Sequence, residues 1–155
     1  MKPIKSERLR KLEGVVPPIE PEGFHHVYHM YKIALTNALT EKYHASKQEI
    51  RDNILFALKA EGVTTALWVQ DVLPGMDIYK LRIGYGNGCP WTCPFGPKGK
   101  GREVTYNPAD YPEAKRLIES TFNLDYFYPP NQKEYLDGVI LAFEKIWDNL
   151  DTILG

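Results

Sequence analysis

The clearest pattern of apolar and polar positions lies near the end of the chain. Apolar side chains recur there three and four positions apart: Leu136, Val139, Ile140, Phe143, Ile146, Trp147 and Leu150. This spacing places them on one face of an α-helix. Asn131 and Glu134 have the spacing of a capping box. We therefore predict a long helix over residues 131–154.

Two further amphipathic helices are predicted, over residues 46–62 and 110–122. Ser46 and Glu49 form a capping-box pair at the start of the first helix, and Gly62 is a typical stop signal at its end. Each helix has one apolar face, which must be buried against another element.

Strands are predicted where β-branched and aromatic residues predominate. In residues 27–35 both alternating sets are partly apolar, so we expect a central strand covered on both faces. Residues 63–69 and 124–128 are predicted as further strands, and residues 79–83 as a short one. A helix separates the first two strands, and they could pair in parallel or lie as neighbours in a mixed sheet.

These elements predict an α+β fold with a small mixed or antiparallel sheet and amphipathic helices packed mainly on one face. Three amphipathic helices cannot cover both faces of a large sheet. Residues 1–22 are expected to form a helix-capable segment followed by a Pro-rich connector. Residues 23–155 would form a single α+β domain that contains a long loop over residues 70–108.

Composition narrows the functional classes. The 155 residues are 43% hydrophobic and 25% charged, as in ordinary globular domains. The net charge of -1 and the pI of about 6.4 argue against nucleic acid as the main partner. No apolar run has the length of a membrane span, and the N-terminus lacks the apolar core of a signal peptide. We therefore expect a cytoplasmic protein without a membrane partner.

The loop over residues 83–95 carries the most unusual chemistry: it reads IGYGNGCPWTCPF. Its glycines do not lead into a helix, so the dinucleotide-binding fingerprint is not met. Cys89 and Cys93 are four positions apart and no second cysteine pair exists, which disfavours a structural zinc site. Two half-buried thiols in a tight loop are the favoured interpretation.

Candidate binding residues are one histidine and three aromatic side chains. His29 alternates with predicted core residues, so a hydrogen-bonded core histidine is favoured over a ligand-binding one. Tyr79, Tyr85 and Trp91 could stack on a ligand or partner, or anchor the loop to its own domain. No paired carboxylates and no Ser–His–Asp set stand out, so we predict no catalytic residue and no metal site.

The order of the segments adds a resemblance to this picture. A Pro-rich connector precedes HHVYHMYKI, and the helix RDNILFALKAEGV precedes a strand. GYGNGCPWTCP follows, and YPEAKRLIESTFNL leads to a Pro-bounded turn and the C-terminal helix. In this order the chain resembles the C-terminal small domain of the DegT/DnrJ/StrS family of PLP-dependent sugar aminotransferases. Many members carry Pro-Leu-His ahead of the loop, whereas this chain reads Leu-Pro-Gly-Met.

The resemblance implies a small domain or split subunit that is not active alone. In the family, a large domain carries the Schiff-base lysine, the aspartate that pairs with the pyridinium nitrogen and the phosphate cradle. PLP would then be held by a large domain or second subunit, and Tyr79, Tyr85, Trp91 and His29 would face the substrate. The alternative is a non-catalytic binding or assembly module of the same fold, acting as a homodimer or binding a protein partner.

Overall fold

An antiparallel sheet with helices packed against it is the framework of the chain in its computed structural model. The structure describes residues 4–82, 84, 89–91, 106–125 and 133–155. Within them it contains seven α-helices and one four-stranded sheet, which confirms the predicted α+β class. The chain divides into a first unit, Met1–Trp68 with Glu119–Gly155, and a second unit, Val69–Ile118.

The sheet belongs to the first unit. Its strands are β1 (Val15–Val16), β2 (Tyr31–Leu35), β3 (Thr65–Ala66) and β4 (Thr121–Leu124), in the spatial order β1-β2-β4-β3. Every neighbouring pair is antiparallel. Strands β2 and β3 consequently run in the same direction with β4 between them. The expectation that they pair or lie as neighbours is therefore wrong.

The two faces of the sheet differ. One face is buried and contributes the following side chains to the core: Val15, Tyr31, Ile33, Leu35, Phe122 and Leu124. On the second face Lys32 of β2 is exposed, whereas Asn123, its pair across the β2–β4 ladder, is buried. The prediction that β2 is covered on both faces is therefore wrong. The apolar content of β2 reflects its place in the sheet: the strand pairs on both edges, and one of its faces is buried.

The helices complete the core with their apolar stripes. They are α1 (Ile4–Leu9), α2 (Asn37–Tyr43), α3 (Lys47–Ala60), α4 (Asp77–Lys80), α5 (Pro112–Ser120), α6 (Lys133–Asp148) and α7 (Leu150–Leu154). Helices α1, α2, α3, α6 and α7 each bury at least one apolar side chain in the same cluster as the sheet. Short 3₁₀ turns occur at Leu73–Gly75 and Pro108–Asp110.

Helix caps were predicted accurately at α3. The Ser46 side chain accepts a hydrogen bond from the Glu49 backbone N–H at 3.2 Å. Gly62 follows the helix with a φ of 78°, a conformation that glycine adopts without steric penalty. The single C-terminal helix, by contrast, is interrupted at Asn149, whose side-chain amide donates to the Lys145 carbonyl at 2.7 Å. A side chain that takes a helix carbonyl ends the ladder there.

Strand boundaries were predicted less well. Strand β2 begins at Tyr31 rather than residue 27, because Tyr28 has a φ of 52° and interrupts the extended backbone. Only Thr65–Ala66 of the predicted strand 63–69 pairs. Tyr79 lies in helix α4 rather than in a strand, and Ile83 lies outside the described residues.

Phe122 was predicted to end the helix over residues 110–122, but it lies in a strand. Helix α5 ends at Ser120, and Phe122 lies in β4, which ends at Leu124. The predicted strand 124–128 therefore begins three residues earlier, and its residues 126–128 lie outside the described part of the chain. Pairing with β2 and β3 holds this short segment extended, and that pairing cannot be seen in local periodicity.

The predicted N-terminal helix is present and packs on the first unit. Leu9 is fully buried in the core, and the hydroxyls of Ser6 and Tyr31 lie 2.7 Å apart. Arg8 donates two hydrogen bonds to the Glu144 carboxylate on α6, at 2.8 and 2.6 Å. These hydrogen bonds hold the pKa of Glu144 below its ordinary value. Helix α1 is thus tied to α6 by both packing and charge.

Glu144→Gln is expected to destabilise the chain slightly at pH 7 and less at pH 3. A carboxylate whose pKa is lowered by folding stabilises the fold above its unfolded pKa, and this contribution is lost as pH falls through the folded pKa. The effect is small because side-chain exposures of 36% and 34% leave the pair open to solvent screening. Urea unfolding at both pH values measures it. Glu134→Gln, an exposed position on the same helix, is the control. An equal loss at both pH values would contradict this account.

Candidate functional site

A cleft lies on the second face of the sheet, in the first unit. We call it the sheet cleft. Its described lining consists of Val27, His29, Met30, Ala66, Trp68, Asn123 and Asp125. All of them belong to the first unit. Its volume of about 590 Å³ is in the range of small-molecule sites, roughly 300–1,000 Å³.

Strand alternation explains why polar side chains reach this cleft. Phe122 and Leu124 point into the core, so Asn123 lies on the opposite face. Asn123 pairs with Lys32 on one side and Ala66 on the other, which holds its backbone between two strands. The Asp125 backbone N–H donates to the Thr64 carbonyl at 3.1 Å and fixes the position of the carboxylate-bearing residue.

Asn123 is the unusual residue of the site. It is 3% exposed, and its side-chain oxygen has no hydrogen-bond partner. A buried polar atom without a partner costs roughly 1–3 kcal/mol, and each such case in a native fold calls for an explanation. Asn123 lines the sheet cleft, but its side-chain oxygen is itself shielded from solvent.

The rim of the sheet cleft is exposed and partly aromatic. Trp68 is 71% exposed, and Val27 and His29 are also exposed. The Tyr28 backbone N–H donates to His26 Nδ1 at 2.8 Å, and the two rings stack with centroids 4.4 Å apart. This local contact supports the left-handed Tyr28 and ends the strand pattern before His29. The favoured interpretation of His29 as a core histidine is therefore wrong.

The carboxylate of Glu20 holds the segment ahead of the rim. It accepts a hydrogen bond from the His26 backbone N–H at 3.1 Å and lies 2.9 Å from His25 Nδ1. The contact with the His25 ring, and next the His26 backbone, lower the pKa of Glu20. Glu20 therefore organises the turn that leads to the cleft rim without lining the cleft.

A second cleft lies within the second unit, and we call it the tyrosine cleft. Its described lining consists of Val72, Leu73, Pro74, Tyr79, Tyr106, Tyr111 and Ala114, with a volume of about 310 Å³. The rings of Tyr79 and Tyr106 have centroids 5.4 Å apart at an angle of 51°. The Trp91 indole N–H donates to the Tyr106 hydroxyl at 3.1 Å. Tyr106 thus contacts both Tyr79 and Trp91. These contacts agree with the alternative prediction that the two aromatic residues anchor the loop to its own domain.

The glycine-rich loop is described only in part. At Gly84 an added Cβ would overlap the Cys89 carbonyl oxygen, so glycine is required there for close backbone approach. Cys89 is half-buried. Cys93 and the predicted substrate-facing Tyr85 lie outside the described residues. Among the residues that are described, no group of three His, Cys, Asp or Glu side chains is arranged to hold a metal ion.

The structure distributes the predicted binding residues over two clefts. His29 lines the sheet cleft, whereas Tyr79 lines the tyrosine cleft. Trp91 donates a hydrogen bond to Tyr106, which also lines the tyrosine cleft. Trp68, Asn123 and Asp125 were not singled out from the sequence. A signal for Asn123 and Asp125 was present, because the order Phe-Asn-Leu-Asp from residue 122 alternates with a period of two. The predicted helix over residues 110–122 included Phe122, so the alternating pattern that starts there was not recognised.

The described lining of the two clefts lacks the cationic groups that hold PLP. A PLP-dependent enzyme needs a lysine at the cofactor carbonyl and donors around its phosphate. No described residue that lines either cleft is a lysine or an arginine. Among the described lysines, Lys145 is committed to an ion pair with Glu61.

No protein-family model matches the chain, and no curated protein matches it. Across the described ranges, none of the helices combines the length and the apolar character needed to cross a bilayer. Function is therefore inferred from the fold and the two clefts.

Proposed function

We propose that the chain is the substrate-facing lobe of a PLP-dependent sugar aminotransferase of the DegT/DnrJ/StrS type. The lysine-bearing domain would belong to another part of the polypeptide or to a second subunit. The observation that carries the proposal is the sheet cleft, which has the size of a ligand site and is lined by His29, Trp68 and Asp125. The order of sequence segments supports the family assignment.

The fold agrees with a lobe that binds substrate and does not supply the catalytic groups. The helices of the first unit that join its core pack on one face of the sheet, and the cleft occupies the other face. In the described residues the exposed His29 has no hydrogen-bonded carboxylate to orient it as a base. Chemistry on a ligand in this cleft would therefore require groups from elsewhere.

Reconstitution tests this proposal. The purified chain is mixed with a candidate lysine-bearing aminotransferase domain, PLP, an amino donor and a keto-sugar nucleotide. We expect a complex by size-exclusion chromatography, a change in the visible absorbance of PLP, and amino transfer only when both proteins are present. Turnover by this chain alone would overturn the proposal, as would the absence of complex and activity with every partner encoded beside it.

A histidine pair separates substrate contact from general loss of function. His29→Asn in the complex is expected to raise KM about tenfold, which corresponds to loss of one substrate hydrogen bond of about 1.4 kcal/mol. His44→Asn is the matched control, because His44 is exposed, lies outside both clefts and has a left-handed backbone that asparagine tolerates. Equal effects of the two substitutions would remove the assigned role of His29.

The second candidate is a non-catalytic binding or assembly module. It is favoured by exposed apolar side chains of the first unit, among them Phe24, Val27 and Trp68. Light scattering and sugar-nucleotide titration discriminate the two candidates. A stable homodimer that binds no sugar nucleotide would favour the module.

A further inference from the structure

We propose that the tyrosine cleft binds a small, neutral, planar aromatic compound of about two fused rings, packed against the rings of Tyr79 and Tyr106. All residues of the described lining belong to the second unit, Val69–Ile118. The inference does not rest on the proposed aminotransferase role, because that role concerns the sheet cleft of the first unit.

Two short turns hold the walls of the tyrosine cleft in place. In the first turn the Asp71 carboxylate accepts a hydrogen bond from the Val72 N–H at 2.7 Å, and the Gly75 N–H donates to the Val72 carbonyl at 2.8 Å. In the second turn the Asn107 side-chain oxygen accepts a hydrogen bond from the Ala109 N–H at 3.1 Å. These contacts are local, so the walls do not need a ligand to keep their shape. A preformed cleft has little ordering cost when a ligand binds.

The aromatic rings favour a planar ligand. The rings of Tyr79 and Tyr106 have centroids 5.4 Å apart and are tilted by 51°. An aromatic ring placed against this pair can stack on one ring and meet the other edge to face, which are the two arrangements that ring quadrupoles favour. The Trp91 indole N–H donates to the Tyr106 hydroxyl at 3.1 Å and restrains the position of that ring.

The charge and the size of the cleft define the ligand class. Apart from its three tyrosines, the described lining is apolar, and none of its side chains is charged: Val72, Leu73, Pro74 and Ala114. An ionised ligand would lose hydration against this lining without meeting an opposite charge. Three phenolic hydroxyls are too few to satisfy a sugar. The volume of about 310 Å³ is roughly twice the 150 Å³ of a cavity that binds benzene, so two fused rings fit.

Three matched probes test the ligand class by isothermal titration calorimetry at pH 7: 2-naphthamide, 2-naphthoate and decahydro-2-naphthamide. The first two share their rings and differ in charge, whereas the third keeps the amide and loses the planar rings. We expect 2-naphthamide to bind about tenfold more tightly than either, because an unpaired carboxylate is costly to bury and aromatic pairs contribute beyond the area they bury. No detectable binding of 2-naphthamide, or an affinity no higher than that of either other compound, would overturn the proposal.

Substitutions at Tyr106 localise the binding. Tyr106→Leu is expected to weaken 2-naphthamide binding about tenfold, because it removes one of the two rings. Tyr106→Phe keeps the ring and loses only the hydroxyl that Trp91 contacts, so the affinity should stay within about threefold. Phe56→Leu is the matched control, since Phe56 lies on α3 in the first unit and is 77% exposed. It should leave the dissociation constant unchanged. Equal losses in the two Tyr106 variants, or no loss in either, would contradict recognition by the rings.

Tyr111→Leu probes the same cleft from its exposed side. Tyr111 lines the cleft, is 50% exposed and takes no part in the hydrogen bond between Trp91 and Tyr106. This variant decides the location of the site if Tyr106→Leu disturbs the second unit. We expect its affinity for 2-naphthamide to fall about threefold to tenfold, with the circular dichroism spectrum of the chain unchanged. Unaltered affinity in the folded variant would rule out the tyrosine cleft as the binding site.

Discussion

Phe143→Ala is expected to lower the free energy of unfolding by about 3–5 kcal/mol, the range for truncating a buried aromatic side chain. Phe143 is fully buried on α6. Its ring stacks between Phe122 of β4, with centroids 6.4 Å apart, and Trp147, at 5.7 Å. Removing it opens a cavity and deprives both neighbours of contacts, because close-packed interiors relax only partly.

Urea unfolding followed by circular dichroism measures this loss. Leu141→Ala is the matched control, since Leu141 lies on the same helix but is 58% exposed. Its change should stay near the small values typical of surface positions, within about 0.5 kcal/mol. A similar loss at both positions would mean that α6 does not carry the core as described. Since Phe122 precedes Asn123, Phe143→Ala should also weaken ligand binding in the sheet cleft.

Gly14→Ala is expected to cost about 2–5 kcal/mol. Gly14 has a φ of 77°, which an alanine adopts at a cost of roughly 1–2 kcal/mol. An added Cβ would also lie 2.6 Å from Cγ of the fully buried Leu39, and overpacking of this kind costs about 1–3 kcal/mol. The backbone cannot shift freely, because the Gly14 carbonyl accepts a hydrogen bond from the Thr36 N–H at 2.9 Å.

Gly62→Ala separates the two contributions. Gly62 has a φ of 78° but no atom within 4 Å of an added Cβ, so only the conformational penalty applies. The difference in unfolding free energy between the two variants therefore measures the contact with Leu39. Identical losses in urea unfolding would show that Leu39 moves aside and that the core near α2 is loosely packed.

Both substitutions bear on how the cleft is supported. Gly14 precedes β1, which pairs with β2, and Phe143 packs against β4. Strands β2 and β4 together hold Lys32 and Asn123 in register. Losses at either position are therefore expected to reach the sheet cleft through β4, which pairs with β2 and contributes Asn123 to the cleft.

Much of the helical structure was predictable from local patterns. The Ser46 cap, the Gly62 stop and the apolar stripe of residues 136–150 each act within a few turns of chain. The break at Asn149 was not predicted, because the apolar stripe continues through it while the hydrogen bond to Lys145 depends on side-chain geometry. The left-handed Tyr28 was missed for a similar reason, since it depends on contacts with His26.

The α+β class, the one-sided burial of the helices and the cap at Ser46 thus follow from periodicities that a short stretch of chain carries alone. The neighbours of β4 and the burial of Asn123 do not. They depend on pairing between segments distant along the chain, where Lys32 and Ala66 meet Asn123 from opposite sides. Alternation along a strand assigns a side chain to one of the two faces of the sheet. Long-range strand pairing decides whether that face is buried and whether the polar atom of the side chain has a hydrogen-bond partner.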